Sequence, residues 1–135
     1  MKKESVLFVC IENSCRSQMA EAFARRLAAD VMESFSAGSR PAGYIHPNAL
    51  RSMLDLGYDL AGQYSKSLDD LPKFKFDYVI TLGCGDECPL IPAVHHEDWE
   101  IPDPKDLPPE EFRKVRNLIR ERVKTLARSI RWDHE

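Results

Sequence analysis

The sequence predicts an α/β fold, a small parallel sheet with helices on both faces. Short apolar runs rich in β-forming residues alternate along the chain with segments of helical periodicity, which is typical of such sheets. The length of 135 residues fits one domain over residues 1–135 and leaves no room for a second. Hydrophobic residues make up 43% of the chain, enough to form the core of that domain.

The first half of the chain predicts a strand, a helix, a second strand and a second helix, at residues 6–9, 18–29, 31–36 and 47–56. The first strand is the apolar run Val6-Leu7-Phe8-Val9. The helix after it repeats apolar residues at three- and four-residue steps. Pro47 suits the first position of the second helix, and Gly57 suits its end.

The second half predicts a short helix, two strands and a long final helix, at residues 66–71, 76–82, 93–98 and from 108 onward. The final helix begins with Pro108-Pro109-Glu110-Glu111, in which proline comes early and acidic residues occupy the first turn. Ligands bind at the carboxyl ends of strands in parallel sheets. Cys10 follows the first strand and Cys84 follows the third, so both segments are candidates for a functional site.

Composition excludes several classes of protein. The 22 acidic and 19 basic residues give a net charge of -3, without the basic footprint of a nucleic-acid-binding protein. No apolar run approaches the roughly 18 residues of a membrane helix. The apolar stretch at the start of the chain is too short for a signal peptide. We therefore expect a cytoplasmic monomer that binds neither nucleic acid nor membrane.

The four cysteines, at positions 10, 15, 84 and 88, are the most informative part of the composition. A chain of this size without an export signal needs no disulfides to fold. Thiols that serve catalysis or bind a metal are therefore favoured over structural disulfides.

The segment from Cys10 to Ser17 reads Cys-Ile-Glu-Asn-Ser-Cys-Arg-Ser and lies between the first strand and the first helix. Backbone N–H groups of such a loop, together with the helix N-terminus, attract an oxyanion. Arg16 adds a planar fork that suits two oxygens, and the same positive potential favours the thiolate of Cys10. Ser17 can donate a hydrogen bond to that thiolate, and Asn13 suits a position with positive φ. The predicted oxyanion loop comprises Ile11, Glu12, Asn13, Ser14 and Cys15.

Two alternatives use the same residues. Cys10 could be a small buried residue that only packs after its strand. Cys84 and Cys88 could bind zinc together with His95 or His96, but adjacent residues of a strand point to opposite faces, so only one histidine could easily contribute. A regulatory module that binds an anion or a metal without turnover is a further class of protein that these residues would fit.

The loop continues as Gln18-Met19-Ala20-Glu21, and these motifs resemble the low-molecular-weight protein tyrosine phosphatase fold. More closely they resemble the arsenate reductases built on that fold. The resemblance extends over most of the chain, through residues 34–38, 78–82, the Cys84 to Cys88 segment, Trp99 and Asp103-Pro104. It implies a four-stranded parallel sheet flanked by helices, and a reduction of arsenate that needs no cofactor.

For the reductases, the resemblance implies a relay of three thiols. Cys10 attacks arsenate, and Asp103 protonates the departing oxygen. Cys84 then attacks Cys10, and Cys88 attacks Cys84, which frees Cys10 for another round. Glycines on either side of Cys84 would allow that segment to move. The final reductant is commonly thioredoxin, but the short spacing between Cys84 and Cys88 leaves a small thiol with a glutaredoxin-like partner as an alternative.

A phosphatase of the same fold is the second enzyme hypothesis, because it would also use Cys10 and Arg16. In the phosphatases, aromatic residues follow the Asp-Pro pair and line the substrate cleft, whereas Lys105-Asp106 follow Asp103-Pro104 here. A phosphatase also needs no thiols at positions 84 and 88. Both differences favour the reductase, with phosphate and sulfate as competing oxyanions. We expect Cys15 to pack within the loop rather than to join the relay.

One position departs from the family pattern. Some of these reductases bind potassium beside the loop, through residues that match Asn13, Glu21 and Ser36 and through an aspartate at the position of Lys66. Here the lysine replaces that carboxylate. We expect its ammonium group to neutralise Glu21 and to support the loop in place of the ion.

Overall fold

The computed structural model describes residues 2–84 and 90–133. The elements within these residues are β1 (Glu4–Cys10), α1 (Arg16–Leu27), β2 (Met32–Gly38), α2 (Pro47–Leu54), a 3₁₀ helix (Leu68–Asp70), β3 (Phe76–Thr81), β4 (Ala93–Asp98) and α3 (Pro109–Asp133). Each predicted strand and helix is present, with ends that differ by a few residues. The short helix expected at 66–71 is a single turn.

The four strands form a parallel sheet, as the sequence predicted, and their order in the sheet is β2-β1-β3-β4. Cys10, the last residue of β1, lies opposite Gly38, the last residue of β2. Because β1 and β3 are neighbours and run in the same direction, their carboxyl ends lie at the same edge of the sheet. The loop after Cys10 and the segment after Thr81 therefore leave the sheet side by side.

The two faces of β1 contact different cores. Val6 and Phe8 face the larger core, which includes side chains of all three α-helices. Leu7 and Val9 face a smaller core, where Leu71 and neighbouring residues around the 3₁₀ helix cover the sheet. All four strand residues have no exposed surface. This burial on both sides explains why β1 is continuously apolar rather than alternating.

Helix α1 begins at Arg16, two residues before the start predicted from periodicity. Its first turn is polar yet buried, since Arg16, Ser17 and Gln18 are all at most 5% exposed. Apolar periodicity cannot detect such a turn. The cap residue Cys15 provides no side-chain hydrogen bond, so the first N–H groups of the helix remain directed toward the preceding loop.

Helix α3 covers the larger core with a stripe of buried apolar residues that runs from Phe112 to Ile130. The positions of this stripe agree with the periodicity of the sequence. In the described part of the chain, no helix is both long enough and apolar enough to cross a membrane.

Candidate active site

A cavity of about 440 Å³ opens at the carboxyl edge of the sheet. Its walls come from the loop after β1, from a residue that follows β2 and from the segment before α3. The lining residues are Cys10, Ile11, Glu12, Ser14, Cys15, Arg16, Arg40, Asp103 and Lys105. Residues that the sequence predicted from distant segments, Cys10, Arg16 and Asp103, therefore share one cavity.

Cys10 lies in the floor of the cavity with 3% of its surface exposed. Its Sγ atom is 2.8 Å from the Oγ atom of Ser17. The same Oγ accepts a hydrogen bond of 2.7 Å from Nδ2 of Asn13, so the hydroxyl proton of Ser17 is available for the sulfur. The hydroxyl of Ser17 is thus in direct contact with the sulfur that lines the cavity.

Asn13 holds the loop in the conformation that this contact requires. Its φ of 50° lies in the left-handed region, as the sequence predicted, and no other non-glycine residue of the described chain has positive φ. Its side-chain oxygen accepts hydrogen bonds from Nε2 of Gln18 and from the backbone N–H of Lys66. These contacts fix the amide, so its Nδ2 atom points at Ser17 and Ser36.

Arg16 connects three segments of the site. Its Nη1 atom donates hydrogen bonds to the carbonyl oxygens of Leu82 and Ile101, at 2.6 and 3.0 Å. Its Nη2 atom lies 3.8 Å from Oδ2 of Asp103. Two carbonyls thus orient one edge of the guanidinium, and the rest of it lines the cavity. Such a fixed planar cation suits a tetrahedral anion with several oxygens.

Behind the loop, a buried network joins Lys66 to Ser17. Glu21 is 1% exposed, and its Oε1 accepts a hydrogen bond of 2.5 Å from Oγ of Ser36. Nζ of Lys66 lies 3.2 Å from the same serine oxygen and 3.7 Å from Oε1 of Glu21. Ser36 in turn accepts from Nδ2 of Asn13. Glu21, Ser36 and Lys66 thus form a cluster directly behind Asn13.

The position of Lys66 bears on the expectation that its ammonium replaces a cation. Its Nζ atom contacts Ser36 Oγ, Glu21 Oε1 and the carbonyl oxygen of Tyr64. Burial lowers the pKa of Lys66, and the neighbouring Glu21 acts in the opposite direction. The ammonium group therefore lies among three oxygen atoms, one of them from the buried carboxylate of Glu21.

Cys15 also lines the cavity, but its thiol is unsuited to nucleophilic chemistry. Burial raises the pKa of the Cys15 thiol to about 12, and this effect outweighs the hydrogen bond with Ser14 that acts against it. At neutral pH the thiol therefore stays protonated. The packing role expected for this residue agrees with that environment.

Cys84 follows β3 and is 5% exposed. It is disulfide-bonded, whereas Cys10 and Cys15 are free thiols. Gly83, just before it, has φ of 78°, and a Cβ atom there would lie 2.5 Å from the carbonyl oxygen of Ile101. Glycine at 83 is therefore required by the close approach of two backbones. Cys88 and Gly85 lie outside the described residues.

The two histidines of β4 are exposed on the edge strand of the sheet. The ring of His95 stacks on Tyr78 with centroids 4.7 Å apart, and Nε2 of His96 lies 2.7 Å from the carbonyl oxygen of Ile91. Among residues 2–84 and 90–133, no three His, Cys, Asp or Glu side chains come together in a way that could hold a metal ion.

Four residues of the site were not identified from the sequence. Arg25 forms an ion pair with Glu21 one helical turn away, and the spacing of four residues is the signal that could have revealed it. Arg40 and Lys105 line the cavity, and Gly38 supports the loop from β2. No local pattern marks these three, because their proximity to Cys10 arises only when the strands align.

Gly38 leads to a specific prediction. A Cβ atom at this position would lie 2.5 Å from the carbonyl oxygen of Ile11 and 2.9 Å from the backbone nitrogen of Asn13. Gly38→Ala should therefore displace the oxyanion loop, lower the affinity for inorganic phosphate by about tenfold and cost about 1–3 kcal/mol of stability. Calorimetric titration and thermal unfolding measure the two effects.

Gly62→Ala is the matched control, because a Cβ atom at Gly62 meets nothing within 4 Å. This control should keep the phosphate affinity of the wild type. Equal affinities in the two variants would show that the loop does not depend on the space at Gly38.

Fold and site together define an α/β protein with a buried cysteine and an arginine in one cavity at the carboxyl edge of a parallel sheet. The profile of the family described as low molecular weight phosphotyrosine protein phosphatase matches residues 5–135. The chain belongs to this family.

Several relatives within the family are arsenate reductases. A glutaredoxin arsenate reductase from Synechocystis sp. is 41% identical over 133 residues, which cover 96% of this chain and 99% of that protein. A solved arsenate reductase in the phosphate binding state is 39% identical, with a TM-score of 0.84 and coverage of 94% of this chain and 98% of the other. The thioredoxin-dependent arsenate reductase of Corynebacterium glutamicum is 34% identical, with a TM-score of 0.78 and coverage of 97% of this chain and 63% of the other.

Proposed function

We propose that this protein is a cytoplasmic arsenate reductase that acts as a monomer over residues 1–135 and serves arsenic detoxification. The observation that carries the proposal is that the cavity contains a free cysteine, Cys10, and that a disulfide-bonded cysteine, Cys84, follows the neighbouring strand β3. Cys10 is a free thiol beside Ser17, and Cys84 is disulfide-bonded two residues beyond Leu82, whose carbonyl oxygen contacts Arg16. The names of the relatives support the same activity. The free thiols of Cys10 and Cys15 support a cytoplasmic location.

The first step is a substitution at arsenic. The Cys10 thiolate attacks arsenate, a sulfur–arsenic bond forms and an arsenic–oxygen bond breaks. Asp103 donates a proton to the departing oxygen, which leaves as water. Arg16 and the N–H groups of the oxyanion loop hold the remaining oxygens. Arsenic remains As(V) in this step.

The second step reduces arsenic. The Cys84 thiolate attacks the sulfur of Cys10, a disulfide forms between them and the electron pair of the sulfur–arsenic bond goes to arsenic. Arsenite, As(III), leaves after protonation. Cys88 then attacks Cys84, and Cys10 departs as a thiolate. A disulfide that contains Cys84 and leaves Cys10 free is the product of this last exchange, which agrees with the thiol states of Cys10 and Cys84.

An external dithiol must return two electrons and two protons for each arsenate. Thioredoxin is our first choice of reductant, and a small thiol with a glutaredoxin-like partner is the second. The relatives include one protein of each description. The two reductants are therefore compared directly in the experiment below.

A tyrosine phosphatase is the second candidate, supported by the family profile. The cavity argues against it as the main activity. Its lining, taken over the described residues, includes no aromatic side chain that could hold an aryl group, and Lys105 lines it just after Asp103-Pro104. Polar walls of this kind suit a small inorganic oxyanion, and phosphate or sulfate would compete with arsenate.

The decisive experiment measures arsenate-dependent oxidation of a thioredoxin system and of a glutaredoxin system with glutathione, alongside hydrolysis of an aryl phosphate. We expect arsenate turnover with at least one of the two reductants and little hydrolysis. Efficient hydrolysis without arsenate reduction would identify a phosphatase instead. Inactivity in both assays would leave only a module that binds anions, which metal analysis and phosphate titration would characterise.

Lys66 gives a prediction about ion dependence. The melting temperature and the activity of the wild type should not respond to potassium at constant ionic strength, because the ammonium already neutralises Glu21. Lys66→Asp should gain a response to potassium, since it places a second carboxylate in the oxygen cluster and leaves room for a cation. Thermal unfolding in potassium and in sodium chloride measures this difference.

Lys66→Met serves as the control, because it removes the ammonium without adding a ligand. It should be destabilised in both salts to the same degree. A strong potassium response of the wild type, or no response in Lys66→Asp, would refute the proposal that the ammonium of Lys66 takes the place of a potassium ion.

A further inference from the structure

Glu12 is an unusual neighbour for an anion. It belongs to the oxyanion loop and lines the same cavity as Cys10 and Arg16. Its backbone carbonyl is fixed, because it accepts hydrogen bonds from the N–H of Ala42 and from Oγ of Ser65, each at 2.9 Å. A carboxylate in the wall of such a cavity repels a dianion unless a cation compensates it.

Lys105 supplies that cation from the opposite wall. Its Nζ atom lies 3.0 Å from Oε1 of Glu12, a contact between residues 93 positions apart. The two side chains are 47% and 34% exposed, so this pair lies at the mouth of the cavity, above the buried Cys10. The hydrogen bond to Glu12 raises the pKa of Lys105, so the lysine stays charged.

The same lysine residue contacts the proposed acid. The backbone N–H of Lys105 donates a hydrogen bond of 3.1 Å to Oδ1 of Asp103. The other carboxylate oxygen of Asp103 lies 3.8 Å from Nη2 of Arg16. Asp103 is half exposed, and the two contacts of its carboxylate given above are with Arg16 and with the backbone of its own segment. Among the described residues, Lys105 is therefore the direct link between that segment and Glu12.

We infer that Glu12 and Lys105 form a latch across the mouth of the cavity, which makes Lys105 a positioning residue for Asp103. The inference rests on the proposed function, since Asp103 is the acid of that reaction. The latch holds residues 103–107 against the oxyanion loop. It also cancels the charge of Glu12, so the cavity keeps its affinity for anions.

The test uses Glu12→Gln, Lys105→Gln and the double variant in the full chain. Each single variant breaks the latch, so each should lower kcat for arsenate by about fivefold, part of the roughly hundredfold or more that a positioned acid supplies. Their effects on phosphate affinity should be opposite. Lys105→Gln exposes a carboxylate and should weaken phosphate binding by about two- to fivefold, and Glu12→Gln frees an ammonium and should strengthen it similarly.

Calorimetry at low ionic strength measures the affinities, because salt screens exposed charges. The double variant should bind phosphate as the wild type does, and its kcat should be no lower than that of either single variant. Hydrogen exchange by mass spectrometry gives an independent measure of the segment. The N–H groups of Lys105 and Leu107 are hydrogen-bonded within it, and they should exchange faster in all three variants.

Lys114→Gln is the control, because Lys114 pairs with Glu111 three residues away on α3, far from the cavity, and is also exposed to solvent. It should change none of the three measurements. Wild-type kcat together with wild-type hydrogen exchange in either single variant would overturn the latch. A kcat that rises and falls with phosphate affinity across the variants would overturn it as well, because it would depend on anion binding and not on the position of Asp103. If the wild type reduces no arsenate, the proposed function fails, while phosphate affinity and exchange still decide whether the latch exists.

Discussion

Replacement of Cys10 by serine should abolish arsenate reduction and any hydrolysis of aryl phosphates. One sulfur serves both reactions, and a serine hydroxyl is not ionised at neutral pH. Oγ of Ser17 lies 2.8 Å from this sulfur, and Arg16 lines the same cavity. A serine hydroxyl at this position is a far weaker nucleophile than a cysteine thiol. We expect a loss of at least about a thousandfold in kcat, near the detection limit of the assay.

The variant should still fold and bind phosphate. Serine is close in size to cysteine and removes a negative charge from the floor of the cavity, so phosphate affinity should stay equal or rise. Calorimetry on Cys10→Ser therefore separates loss of the nucleophile from loss of the site. Cys15→Ala is the comparison within the same loop. Its thiol is protonated at neutral pH, so this variant should retain measurable reduction. Substantial arsenate turnover by Cys10→Ser would refute the first step of the mechanism.

Cys84→Ser should stop arsenate reduction before arsenite is released, because no thiol then attacks the Cys10 adduct. Cys88→Ser should stop one step later, with one arsenite released per chain and a disulfide between Cys10 and Cys84. Neither residue takes part in hydrolysis of an ester, so any phosphatase activity should survive in both variants. Single-turnover assays with arsenite detection, followed by peptide mapping of the disulfides, measure these differences.

The wild type treated with arsenate and limiting reductant is the reference. We expect it to accumulate a disulfide between Cys84 and Cys88 with Cys10 free. If only the Cys10–Cys84 disulfide ever formed, Cys88 would have no place in the relay. Repeated turnover by Cys84→Ser would show that the external reductant attacks the Cys10 adduct directly. Phosphate titration of both variants checks that the cavity is intact.

Much of this protein is determined by local sequence. Continuous apolar runs form β1 and β3 because both faces of these strands are buried, and the stripe from Phe112 to Ile130 forms α3 because it covers the larger core. The loop from Cys10 to Ser17 is also a local motif, since its chemistry depends on a turn between one strand and one helix. The positive φ of Asn13 follows from the same local chemistry.

Tertiary contacts determine where the helices and strands end and which residues support the oxyanion loop. The polar first turn of α1 is helical although it carries no apolar signal, because Arg16 reaches carbonyl oxygens 66 and 85 residues away. No local pattern marks Gly38 as a residue of the site. Its importance arises because the register of β1 and β2 places it against the oxyanion loop.

The charged residues around the cavity also divide into those that the sequence identified and those that only the tertiary structure brought together. The loop motif in the sequence predicted that Cys10 and Arg16 act together, and the family resemblance added Asp103 to them. Only the tertiary structure decided that Lys105 lies against Glu12 and that Lys66 lies against Glu21. Electrostatic pairing depends on distances between atoms of segments far apart in the chain, and no periodicity or spacing encodes those distances.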